Sequence, residues 1–80
     1  MKIQKDYFKS SDIAVCSYLC CEGYMIEKIE RQESGKATFF IEKDDRLDNL
    51  INSYFTHQAK ADPLVFFNSL KELKVRIYNL

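Results

Sequence analysis

The stretch IAVCSYLCC, from Ile13 to Cys21, decides more about the fold than any other part of the chain. Ser10, Ser11 and Asp12 before it offer side-chain oxygens for a helix N-cap, and Gly23 after it suits a left-handed helix end. The segment therefore reads as a helix running to about Glu22. On a helical wheel its apolar residues point in nearly every direction, and only Ser17 and Glu22 interrupt the ring. A helix that is apolar all round is buried all round. This one belongs at the centre of the domain.

The neighbouring segments supply the layers around it. Lys5 to Lys9 reads as a short edge strand. Tyr24 to Gln32 and KATFFIEK flank the turn Glu33-Ser34-Gly35-Lys36, which makes a β-hairpin. In the second strand Ala37, Phe39 and Ile41 share one face, and Thr38, Phe40 and Glu42 share the other. The off-phase spacing of Ile26 and Ile29 points to a bulge in the first strand. Asp44 or Asp45 then caps a helix from Arg46 to about His57, whose stripe of Leu47, Leu50, Ile51, Tyr54 and Phe55 is as wide as one packed face requires.

Asp62-Pro63 is a strong start for the last helix, with a carboxylate at the N-cap and proline at the first helical position. Phe66, Leu70, Leu73, Ile77 and Leu80 recur at helical spacing to about Tyr78 and beyond. Leu64, Phe67, Val75 and Tyr78 widen the apolar arc past half the circumference. One packed face does not need so much, so either two layers enclose this helix or another chain covers part of it. The candidate interface is accordingly Leu64, Phe66, Phe67, Leu70, Leu73, Val75, Ile77 and Tyr78. The expected fold is a single α+β domain over residues 1–80, in the order β-α-β-β-α-α.

Composition narrows the function classes. The 80 residues are 46% hydrophobic and 30% charged, too apolar and too balanced for a disordered chain. Twelve basic residues against twelve acidic ones give no net charge, so there is no excess to displace counterions from nucleic acid. Lys71, Lys74 and Arg76 are the nearest thing to a basic patch, and Glu72 dilutes them. No apolar run reaches the roughly 20 residues of a membrane span, and the opening MKIQKD has no signal-sequence core. Three cysteines, two of them adjacent, fit reduced thiols in the cytoplasm better than a disulfide framework.

A search for chemistry returns bland readings. Cys16 and Cys20 lie one helical turn apart, but a structural metal site needs four ligands and the only histidine, His57, is distant in sequence. The thiols read as core side chains. His57 sits at a helix end, where it suits capping or solvent. Acidic runs such as Glu42-Lys43-Asp44-Asp45 alternate in sign and read as surface, and two glycines make no phosphate loop. Phe39 and Phe40 could stack bases only if the outer sheet face were open. No catalytic, cofactor-binding or metal-ligating residue stands out, and no small-molecule substrate is evident.

The order of signals resembles a known family. FKSSD, a short helix ending in EGY, IEKIER, TFFIE and the closing DPLVFFNSLKELKVRIYNL together resemble the DUF5659-like domains of unknown function, small proteins of bacteria and mobile elements. The resemblance implies a bacterial, phage or plasmid origin and brings no activity. It also implies packing at Cys16, Cys20 and Cys21, where family members mostly carry alanine or leucine. The expectation is a non-enzymatic interaction module, a homodimer or a partner-binding protein acting through the last helix. A small regulatory nucleic-acid-binding protein is the alternative.

Overall fold

The structure, a computed structural model, describes residues 5–80; the reading of the opening MKIQKD lies mostly outside them. Asp12 takes extended backbone angles, and its carboxylate accepts the amide hydrogens of Ala14 (3.0 Å) and Val15 (3.3 Å). Helix α1 then runs Ile13–Cys21. Its end carries two crossed bonds, Gly23 N–H to the Cys20 carbonyl and Tyr24 N–H to the Leu19 carbonyl, with Gly23 at φ 98°. This is a Schellman end. No heavy atom lies within 4 Å of where a Cβ on Gly23 would stand, so the backbone angle, and not space, selects glycine there.

The strands are β1 (Tyr7–Ser10), β2 (Lys28–Arg31) and β3 (Ala37–Glu42). They form one antiparallel sheet in the order β1-β3-β2, so the last strand in sequence is the central one. Between β2 and β3, Gly35 at φ 89° donates to the Gln32 carbonyl while Gln32 donates to the Lys36 carbonyl. That is the three-residue hairpin loop that needs a residue of positive φ at its end. β2 is shorter than the expected Tyr24 to Gln32, because Ile26 lies before the strand. The expected irregularity sits at the strand's entrance: Lys28 stands opposite Phe40, yet Glu27 also donates to the Phe40 carbonyl. Two residues face one, which is the count of a bulge.

Helix α2 (Leu47–Phe55) begins where the Asp44 carboxylate accepts the amides of Arg46 (3.0 Å) and Leu47 (3.1 Å). It ends two residues before the expected His57. His57 instead adopts φ 62°, and Gln58 N–H reaches the Ser53 carbonyl while His57 N–H reaches that of Tyr54. This is the same Schellman end as on α1, built here without glycine. Helix α3 (Pro63–Tyr78) starts as expected, with the Asp62 carboxylate accepting from Leu64 and Val65.

Burial follows from α1. Val15, Cys16, Ser17, Tyr18 and Leu19 are all buried, so the centre of the helix has no exposed side. Ser17 is tolerated there because its hydroxyl donates to the Ile13 carbonyl at 2.7 Å. α3 packs along α1 and α2 against it, while Phe39, Ile41, Phe8 and Ile29 of the sheet join the same cluster. The molecule measures 36 × 31 × 19 Å, and the thin dimension has room for one sheet and one layer of helix. α1 is therefore the middle helix of its layer. The opposite face of the sheet, carrying Lys9, Lys28 and Phe40, is covered by no helix among the described residues.

A polar tie joins the two halves of the chain. The Tyr24 hydroxyl donates to the Asp44 carboxylate that already caps α2, and Arg46 lies over the Tyr24 ring while reaching Glu22 at 3.9 Å. Burial, and then this bond, push the Tyr24 phenol up to about 12. The same bond, helped by the Arg46 and Leu47 amides, holds the Asp44 carboxyl below its ordinary value. A carboxylate with a lowered folded pKa contributes stability above its unfolded pKa of about 4, and that contribution is lost as pH falls through the folded value. Tyr24→Phe should therefore move the Asp44 carboxyl, followed by carbon NMR, back toward its ordinary value and flatten the acid limb of stability. Separately, His57→Gly should raise stability by about 0.5–1 kcal/mol by relieving the left-handed conformation, while Gly23→Ala lowers it by about 1 kcal/mol. Urea midpoints check both.

Candidate functional site

α3 carries two apolar stripes, and the structure separates them. Phe66, Leu70, Leu73 and Ile77 face the body of the protein: Leu73 is buried, and the other three are half-buried. Leu64, Phe67, Val75 and Tyr78 recur on the other side of the helix and are 69%, 54%, 58% and 91% exposed. Val65 and Leu80 are exposed too. Of the eight candidate interface residues, four are thus available on the surface and four are engaged by their own chain. The sequence reading combined both stripes into one wide arc. Separating them needed the direction of α1, which hydrophobicity alone does not supply.

The charges of α3 divide in the same way. Lys71 lies on the outward stripe, its ammonium 5.4 Å from the centroid of the Phe67 ring. Glu72 and Arg76 turn toward a cavity of about 290 Å³ between α3 and the end of α1, lined also by Cys20, Tyr24 and Ser69. Arg76 donates there to the Ile26 carbonyl at 3.4 Å. The three basic residues of α3 therefore do not share one face.

The other candidates disperse. Cys16 is fully buried, and burial pushes its thiol up to about 12. Burial, then the neighbouring Cys21, also raises the Cys20 thiol. Cys21 is half-buried with its sulfur 3.9 Å from the Ser69 hydroxyl. His57 is exposed beyond α2, at the rim of an open groove of about 610 Å³ whose walls include Tyr18, Tyr54, Phe55 and Phe66. Among the described residues no three His, Cys, Asp or Glu side chains converge on a metal-sized site. No helix among them is long and apolar enough to cross a membrane.

One arrangement was not anticipated from the sequence. Lys9, Phe40 and Lys28 form a row across all three strands on the uncovered sheet face, with the two ammoniums 5.3 and 4.7 Å from the ring centroid. Tyr7 meets the same ring edge-on at 6.2 Å. The available signal was the strand order: once β3 is central, residues flanking Phe40 come from both neighbours. Glu30 and Glu42 share this face and pair with Lys28 (3.1 Å) and Lys5 (3.8 Å). The face is thus close to neutral, a poor electrostatic match for a polyanion.

The thiols give a direct check on this geometry. In the native protein Cys16 should resist alkylation by iodoacetamide and Cys20 should react slowly, whereas all three thiols should modify fully after denaturation. Rapid native labelling of Cys16 would mean that α1 is not the closed centre described above.

Comparison with curated proteins and with solved structures finds no significant match. The elements that carried the resemblance, from the β1–α1 junction to the last turn of α3, are present in the observed order β-α-β-β-α-α. The sequence model of DUF5659, a domain of unknown function, matches residues 5–79, which takes in every element of the fold, and the chain belongs to that family.

Proposed function

We propose that this domain is a non-enzymatic interaction module that docks another protein chain through the outward stripe of α3. The observation that carries the reading is the exposure of Leu64, Phe67, Val75 and Tyr78 along one line of a well-capped helix. Single exposed apolar residues are ordinary on a protein surface, but a contiguous line of large ones marks a contact surface. Self-association through the same stripe is the homomeric form of this proposal. The three free, half-buried or buried thiols accord with a reducing, cytoplasmic setting.

Nucleic-acid binding is the second reading. The uncovered row of Lys9, Phe40 and Lys28 favours it, since aromatic residues on open strands can stack bases. The acidic residues on that face and the split basic residues of α3 weigh against it.

A photo-crosslinking residue at Phe67 or Val75 should give one discrete protein adduct in the producing cell, and the same residue at Lys36 on the hairpin turn should give none. The mass of the adduct distinguishes a second copy from another chain. Absence of any adduct from both α3 positions, in a protein that sediments as a monomer, would dismiss the module.

A further inference from the structure

Leu64, Phe67, Lys71, Val75 and Tyr78 follow one another at spacings of three and four, so they form a single strip along α3. At 1.5 Å per residue the strip is about 21 Å long, roughly four helical turns. Its midpoint is a lysine. Lys74 borders it one turn on, and neither ammonium has an ion-pair partner among the described residues. The one acid of α3, Glu72, is exposed at the flank of the strip, where it lines the cavity beside α1, and the Asp62 carboxylate at the N-terminus accepts from the Leu64 and Val65 amides.

These charges bear on what can lie against the strip. In an antiparallel pair of α3 helices centred on the strip, Lys71 of one copy meets Lys71 of the other. In a parallel pair every position meets itself, so Lys71 and Lys74 both face like charge. Neither arrangement offers a carboxylate from the strip to receive an ammonium that the contact desolvates. Like charges so placed oppose association. An anionic lipid surface would tolerate lysines, but membrane-binding clusters carry about four to eight basic residues, and this strip offers two.

Resting on the reading of α3 as a docking face, we infer that its partner is an acidic amphipathic helix of about four turns, and not a second copy of this chain. The apolar side of such a helix covers Leu64, Phe67, Val75 and Tyr78, and its flanking carboxylates receive Lys71 and Lys74. Recognition of this kind reads anchors at helical spacing and sets partner choice by charge.

Two synthetic 18-residue helices test the inference. They share one leucine stripe and differ only in flanking glutamates or flanking lysines. Fluorescence anisotropy with the whole protein should show the glutamate peptide binding at least about tenfold more tightly at low salt, with the advantage falling below about threefold in 0.5 M NaCl. Lys71→Glu with Lys74→Glu, both on exposed side chains, should reverse the preference while circular dichroism stays unchanged. Equal affinity for the two peptides, or preference for the lysine peptide, overturns the acidic partner and leaves the docking face standing. A concentration-dependent dimer that Phe67→Glu abolishes overturns it in favour of a second copy. Co-sedimentation with phosphatidylcholine–phosphatidylserine vesicles, lost in the double variant, overturns it in favour of a lipid surface. Binding of neither peptide by a monomeric protein removes the docking face itself.

Discussion

A helix without a polar side can be used in only one place, and that requirement on α1 governs the rest of the molecule. Residues 15–19 must be enclosed on every side, so the sheet has to lie beneath α1, and α2 and α3 have to flank it. Its termini must be satisfied without widening it, which is why Asp12 holds one end and the left-handed Gly23 closes the other. Even its one buried polar side chain bonds back to its own first turn. A 9.5 kDa domain has little area to spare, and spending all of one helix's surface on the core leaves the flanking helices with less to cover their own.

The outward stripe of α3 follows from that geometry. α3 meets α1 along one side, through Phe66, Leu73 and Ile77, and nothing in the described chain reaches its other side. α2 packs on α1 and meets α3 only across the groove at Phe66, on the inward side of α3. The protein therefore presents Leu64, Phe67, Val75 and Tyr78 without any local structural reason for them to be apolar. That is the physical ground for treating the stripe as a contact surface.

Much of this was legible in the sequence. The caps at Asp12 and Asp62, the left-handed Gly23 and the two faces of β3 are local features, set by side-chain chemistry or by the period of a strand, and each is found where the residues place it. Less legible was the end of α2, because His57 takes a conformation that glycine or asparagine usually supplies. The division of α3 into an inward and an outward stripe was hidden as well. Hydrophobicity records that a residue is apolar, and the packing direction of another element decides whether it is covered. The Lys9–Phe40–Lys28 row depended on strand order in the same way. Interactions between elements, and not within them, marked the limit.

The position of β3 has a consequence for how the chain must assemble. β1 is made first, yet its only partner in the sheet is the central strand, about thirty residues later, and β2 also waits for β3. The first helix is complete well before either the sheet beneath it or the helix beside it exists. On a ribosome, IAVCSYLCC emerges with its whole apolar circumference uncovered until β3 and then Leu73 of α3 have been synthesised. Such exposure invites association with other nascent chains. Pairing of β1 with β3 closes a loop that contains the very helix that most needs covering, and such a long-range contact costs loop entropy before it returns any stability.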